Sequence, residues 1–151
     1  MHLPGHISIA LAQHLIPPLS KEKKALKFIL LASILPDVVD KTVGYVFCAM
    51  PGGRHVAHNI FSMFVVSLLV GLIWGRLAGF ACGFGYLGHL AADDPTRVPL
   101  FFPVRKYKFR QKQFSFGWQR FFKEAVVLGA VIVFYRILQR QIHKSTVIAT
   151  K

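Results

Sequence analysis

An uncharged apolar run over residues 59–75, NIFSMFVVSLLVGLIWG, constrains the fold more than any other stretch of the sequence. A helix needs about 20 apolar residues to cross a bilayer, so this run lies at the lower limit for a span. The whole chain is 54% hydrophobic and 17% charged, whereas typical soluble domains carry about 25% charged residues. This balance favours a multi-pass membrane protein over an unusually apolar soluble helical bundle.

Apolar runs bounded by proline, glycine or charge predict helices over residues 5–16, 24–35, 59–75, 76–92 and 124–138 of a single domain, 1–151. The second helix is predicted to stop or kink at Pro36, because proline lacks a backbone N–H and clashes with the preceding turn. In the fourth helix Gly79 and Gly83 form a GxxxG spacing, which lets membrane helices approach closely. The predicted fold class is all-α: a multi-pass helical membrane bundle of about four membrane-associated helices plus a short N-terminal helix. The predicted location is a cytoplasmic or inner membrane.

The net charge of +13 predicts an anionic partner. Residues 105–123, RKYKFRQKQFSFGWQRFFK, interleave basic and aromatic side chains. This basic aromatic segment suits nucleic-acid phosphates and bases, and it equally suits a helix in the headgroup layer of a membrane. Because the segment runs directly into an apolar helix at Glu124, membrane lipids are favoured over nucleic acid as its partner.

The sequence has only six acidic residues, and four of them close two apolar runs. Asp37 and Asp40 follow LLASILP, and Asp93 and Asp94 follow GFGYLGHLAA. Single residues have simpler explanations, since an aspartate can cap a helix and Asp94 before a proline can form a turn. Caps do not explain why acids are nearly missing elsewhere, so the pattern predicts a functional use.

Helices that alternate in direction bring these acids to one end of the bundle together with imidazoles. The residues predicted to meet there are His6, Asp37, Asp40, His55, His58, His89 and Asp93. His89 and Asp93 are also one helical turn apart on the same face. Zinc is held by neutral imidazole and carboxylate oxygen, and helical bundles build such sites from facing helices. The convergence therefore predicts a metal site, against the alternative of a hydrogen-bonded His–Asp pair.

The order of four motifs resembles the predicted membrane-bound metal-dependent hydrolases, the YdjM-like family. The motifs are GH near the start, LPDxxDK, GRxxxHN, and GYLxHLxxD with a following FFP, and they cover roughly residues 5 to 104. The family often has HRxxTHS where this chain has GRHVAHN. Arg54 and His58 match that pattern, whereas Gly53 stands where a histidine is common and leaves the role of His55 open. The family's hydrolase label rests on motif similarity to zinc-dependent phospholipase C-like enzymes.

The residues and the resemblance together predict a membrane-bound metal-dependent hydrolase acting on a phosphoester or lipid-like substrate. The predicted ligands of a divalent metal are His6, Asp37, His58, His89 and Asp93. Asp40 is predicted as a further ligand or as a carboxylate that orients a histidine, and Arg54 as a group that steadies a phosphate oxygen. Mixed imidazole and carboxylate ligands favour zinc, with manganese as the alternative. The alternative functions are a non-catalytic metal-binding membrane protein, or a module that binds anionic lipid or nucleic acid through residues 105–123.

Overall fold

The structure is a computed structural model that describes residues 1–93, 98–109 and 116–149, and the side chains of these up to residue 142. In these ranges the chain forms five α-helices: α1 (Leu3–His14), α2 (Lys23–Lys41), α3 (Ile60–Trp74), α4 (Arg76–Ala92) and α5 (Trp118–Ala149). No residue of the same ranges lies in a β-strand. The predicted all-α fold class is therefore confirmed. Residues 110–115 of the basic aromatic segment lie outside the described residues, as does Asp94.

Large apolar side chains cover the outer faces of α3 and α5. Leu72 of α3 is 74% exposed and Val126 of α5 is 75% exposed, and Phe64 and Phe134 on the same two helices are also exposed. So many large exposed apolar side chains on two helices are unusual for a monomeric soluble protein. Across the described ranges, no helix has both the length and the apolar character that crossing a membrane requires.

Helix α2 continues through Pro36 to Lys41, so of the stop or kink predicted at this proline the stop is wrong. Pro36 lacks an N–H for the Ala32 carbonyl, but that is the loss of a single hydrogen bond. The turn beyond it is held by tertiary contacts, since Asp40 is fully buried and accepts hydrogen bonds from the loop that follows. Asp37 and Asp40 consequently lie on α2 itself, almost one turn apart.

Helix α4 contacts α1, α2 and α3, and it carries many small residues that allow close packing. Gly75 alone joins α3 to α4, with a φ of 94° that L side chains rarely adopt. A Cβ on Gly79 would lie 2.7 Å from Gly71 Cα, so the backbones of α3 and α4 approach as the GxxxG spacing predicts. Between α1, α2 and α4 the core is formed mainly by Ala10, Ala25, Ile29 and Ala81. The resulting short distances between helices bring polar groups of different helices into direct contact.

Candidate metal centre

Four chain segments deliver imidazoles and carboxylates to one end of the bundle. His6 lies on α1, Asp37 on α2, His58 in the loop before α3, His89 on α4 and Asp93 directly after α4. Four of the five are buried, and the Asp37 side chain keeps 13% exposure. The structure thus brings together all five residues that the sequence predicts as ligands.

Four of these residues place their donor atoms at the spacing of a single metal ion. His58 Nε2 lies 3.2 Å from His89 Nε2 and 3.5 Å from both Asp37 Oδ1 and Asp93 Oδ2. His89 Nε2 is 3.8 Å from Asp93 Oδ2, and the four donors all lie within 4.8 Å of one another. Ligands at about 2.0–2.2 Å from a tetrahedral ion are about 3.3–3.6 Å apart. The distances from His58 Nε2 match this spacing, so the cluster of four could hold one ion if its wider pairs close around it.

Hydrogen bonds on the far side of each ring determine which imidazole nitrogen faces the cluster. His89 Nδ1 is 2.6 Å from the carbonyl oxygen of Ser33, and His58 Nδ1 is 2.7 Å from Asp40 Oδ2. A carbonyl and a carboxylate can only accept, so each Nδ1 carries a hydrogen and donates it. If both rings are neutral, the two Nε2 atoms offer lone pairs to each other, so either a proton on one of them or a metal ion must lie between them.

Asp40 lies behind His58 and is not one of the four donors. Its fully buried carboxylate accepts hydrogen bonds from the backbone N–H groups of His55, Ala57 and His58, in addition to His58 Nδ1. One carboxylate thus fixes both the path of the loop and the orientation of the His58 ring. This geometry is compatible with the predicted role of Asp40 as an orienting carboxylate.

The electrostatics of the cluster favour a positive charge at its centre. Burial by itself lowers the pKa of His58, but hydrogen bonds to Asp37, Asp40 and Asp93 outweigh it and raise this pKa to about 10. Burial also disfavours the charged form of Asp93, which by itself would raise its pKa. Hydrogen bonds from His58, Arg54 and the Met1 amino group outweigh burial and hold the pKa of Asp93 well below its usual range. The charged forms of both residues are therefore favoured at neutral pH. A proton on His58 Nε2 competes with a metal ion for the same lone pair.

The planar guanidinium group of Arg54 donates hydrogen bonds to both carboxylate oxygens of Asp93. Its Nε is 2.7 Å from Asp93 Oδ2 and its Nη2 is 3.0 Å from Asp93 Oδ1, a bidentate pair that fixes the carboxylate plane. The Arg54 side chain remains 28% exposed and lines the cavity described below. The arginine that the sequence predicts as a phosphate contact thus also positions a carboxylate of the cluster.

The remaining histidines differ in their relation to the cluster. The His6 ring stacks on the His89 ring with centroids 4.0 Å apart, and its Nε2 lies beside Asp37 and Asp93. His55 is buried, but its Nε2 is 3.0 Å from the Pro51 carbonyl oxygen and it is not one of the four donors. His14 lies at the other end of α1 and pairs with Tyr135.

A cavity of 1440 Å³ lies next to the cluster, with His6, Asp37 and Arg54 in its lining. Described residues of the basic aromatic segment form much of the remaining lining: Tyr107, Lys108, Phe109, Phe116, Trp118, Arg120 and Lys123. The sequence identifies this segment by composition but gives no sign that it shares a cavity with members of the acid–imidazole cluster. The sequence also does not reveal that the Ser33 carbonyl bonds His89. Every residue has a backbone carbonyl, so no residue type marks this acceptor.

Comparison with known proteins gives one family. The model of a family described as YdjM inner membrane protein matches residues 1–150. The match spans all members of the cluster, Asp40 and the residues that line the cavity. No curated protein and no solved structure matches the chain.

Proposed function

The chain belongs to the YdjM inner membrane protein family, and we propose that it is a membrane-bound, metal-dependent hydrolase of a phosphoester or lipid-like substrate. The observation that carries the proposal is the pair of Nε2 atoms of His58 and His89, which lie 3.2 Å apart with two carboxylate oxygens beside them. Both rings are oriented by acceptors behind them, so the ligand atoms are in position before an ion binds.

The proposed ligands of the ion are His58, His89, Asp37 and Asp93. Imidazole and carboxylate ligands at this spacing suit zinc, with manganese as the alternative. A divalent ion bound here would supply Lewis-acid polarisation of an ester oxygen and activation of a water molecule. Asp40 holds the His58 ring in its ligating orientation, and Arg54 holds the plane of Asp93.

The chemistry of the cavity supports an anionic substrate. Lys41, Arg54, Lys108, Arg120 and Lys123 contribute basic side chains to its lining, and Asp37 contributes a carboxylate from the cluster. Cations around a cleft concentrate phosphate-bearing molecules there. Aromatic side chains between these cations add apolar surface, which suits the acyl or other apolar part of a lipid-like molecule.

We further propose that the protein is a multi-pass integral membrane protein, with the exposed apolar faces of α3 and α5 in contact with lipid. The family description and the exposed side chains of Leu72 and Val126 support this placement. We expect the protein in the membrane fraction, where it should resist extraction by carbonate and by high salt. Release by high salt alone would refute the placement and indicate a basic protein bound to the membrane surface.

Elemental analysis tests the metal centre. Full-length protein purified in detergent without chelator should contain zinc or manganese, and His89→Ala and Asp93→Ala should each lose most of it. His14→Ala is the matched control, because His14 is an equally buried histidine that is bonded to Tyr135. A folded wild-type preparation that contains no metal and takes up none would refute the proposal.

Hydrolysis is tested separately, with a chromogenic phosphodiester and with phospholipid in mixed micelles. We expect activity that a chelator removes and added zinc or manganese restores. A protein that binds metal but cleaves neither substrate would indicate the non-catalytic alternative.

A further inference from the structure

The acid–imidazole cluster presents a second group of donor atoms that the first metal position does not use. We propose that His6 Nε2, Asp37 Oδ2 and Asp93 Oδ1 bind a second divalent cation, so that Asp37 and Asp93 bridge two ions. This inference rests on the proposed metal centre and extends it from one ion to two.

His6 is the observation that points to a second ligand. Its side chain is 1% exposed, and neither ring nitrogen has a hydrogen-bond partner within the part of the chain that the structure describes. Buried polar atoms are nearly always paired, so an unpaired imidazole requires an explanation. The ring stacks on His89 and its Nε2 faces the two carboxylates, 4.0 Å from Asp37 Oδ2 and 3.9 Å from Asp93 Oδ1.

Each carboxylate divides its two oxygens between the two positions. Asp37 Oδ1 and Asp93 Oδ2 lie next to His58 Nε2, at 3.5 Å each. Asp37 Oδ2 and Asp93 Oδ1 lie next to His6. A carboxylate that binds one ion through each oxygen is a common bridge in two-metal centres, where the ions are about 3.5–4 Å apart.

The distances from His6 allow one ion to reach His6 Nε2 together with either carboxylate oxygen. Two donors at about 2.1 Å from the same ion can be up to about 4.2 Å apart, and the two His6 distances are shorter than this limit. Ammonium groups also contact these oxygens: Lys41 Nζ is 2.7 Å from Asp37 Oδ2, and the Met1 amino nitrogen is 2.9 Å from Asp93 Oδ1. Asp93 Oδ1 also accepts a hydrogen bond from Arg54 Nη2. A metal ion bound to Asp93 Oδ1 would therefore displace the Met1 ammonium from this oxygen.

The two positions differ in their access to the cavity. His6 and Asp37 line it, whereas His58 and His89 do not appear among the described residues of its lining. The position at His6 has three protein donors, which leaves coordination sites for water or substrate, as in catalytic zinc sites. The position at His58 and His89 already has four protein donors. In a centre with two ions, the Lewis-acid role proposed for the centre would therefore fall to the ion at His6, and the ion at His58 and His89 would hold the shared carboxylates Asp37 and Asp93 in place.

The stoichiometry and magnetic coupling of bound manganese test the proposal without an activity measurement. Full-length protein in detergent is stripped with chelator, loaded with Mn²⁺ and passed through a desalting column. We expect two manganese ions per chain and an exchange-coupled electron paramagnetic resonance spectrum. His6→Gln should hold one ion with an uncoupled six-line spectrum. His14→Gln, a change at the other end of the same helix, should behave as wild type.

The outcomes separate this proposal from the metal centre itself. One uncoupled ion in both wild type and His6→Gln would refute the second position and leave the first one standing. Two ions in His6→Gln would refute the role of His6. A wild type without metal would refute both proposals. Should His6→Gln fail to fold by circular dichroism, the wild-type spectrum decides, because an uncoupled signal there excludes a carboxylate-bridged pair.

Discussion

Asp40→Asn distinguishes an orienting carboxylate from a metal ligand, and it tests the geometry behind His58. In the structure Asp40 Oδ2 accepts from His58 Nδ1 at 2.7 Å, and both oxygens accept from backbone N–H groups of the loop before α3. Asparagine has nearly the same shape, but it is neutral and has a donor in place of one oxygen.

The expected magnitudes follow from the number of hydrogen bonds. Asp40→Ala would leave the N–H groups of His55, Ala57 and His58 unpaired, at about 1–3 kcal/mol each. The sum of about 3–9 kcal/mol is comparable with the total stability of many domains, about 5–15 kcal/mol, so alanine is a poor choice of variant. Asparagine keeps an acceptor for His58 and turns its amide group toward the Ala57 N–H. We expect Asp40→Asn to lower stability by about 1–3 kcal/mol.

Asp40→Asn should lower the affinity for zinc without lowering the number of zinc ions bound at saturation. Loss of a carboxylate that orients a metal-ligating histidine lowers affinity about 10- to 100-fold, or about 1.4–2.7 kcal/mol. Competition with a chelator of known zinc affinity measures this change, and saturating zinc should still fill the site. Asp37→Asn is the matched control, since it replaces a proposed ligand by the same chemical change and should lower affinity further.

Two results would refute this reasoning. Zinc affinity in Asp40→Asn equal to that of wild type would mean that the negative charge behind His58 Nδ1 does not strengthen the ring as a metal ligand. Loss of one full equivalent of zinc at saturating concentration would mean that Asp40 is itself a ligand and that the loop rearranges around the ion.

Three further predictions use other parts of the structure. Because the pKa of His58 is raised to about 10, zinc binding should release its proton below that pH, and zinc affinity should increase about tenfold per pH unit between pH 6 and 9; calorimetry in buffers of different ionisation enthalpy measures the proton release. Gly85→Ala places a Cβ 2.4 Å from the Ile29 carbonyl oxygen and should cost about 1–3 kcal/mol of stability in thermal unfolding, whereas Gly129→Ala, which meets nothing within 4 Å, should not destabilise; equal effects would contradict the close approach of α2 and α4. Arg120→Glu with Lys123→Glu should raise KM for an anionic phosphoester in steady-state assays and weaken the dependence of KM on salt, and an unchanged KM would mean that these cations do not face the substrate.

Much of the fold could be predicted from the sequence because it depends on local patterns. Apolar runs place α1, α3 and α4 to within two residues, whereas α5 is Trp118–Ala149 and so extends beyond the predicted 124–138 at both ends. The glycine spacing predicts a close approach to a neighbouring helix, which the structure shows to be α3. The end of α2 could not be predicted this way. Pro36 has the same local cost in any helix, and only the buried bonds of Asp40 explain why α2 continues past it.

The sequence by itself determined which residues meet in the cluster: acids are rare, and alternating helices bring their polar ends to one side. Only the tertiary structure decided what each atom faces. The role of Asp40 depends on backbone N–H groups 15 to 18 residues away, the tautomer of His89 on the carbonyl of Ser33, and the unpaired ring of His6 on its stacking against another helix. Hydrogen bonds require donor and acceptor atoms about 3 Å apart. Helix periodicity places residues only to within a turn, so it cannot predict which atoms are bonded.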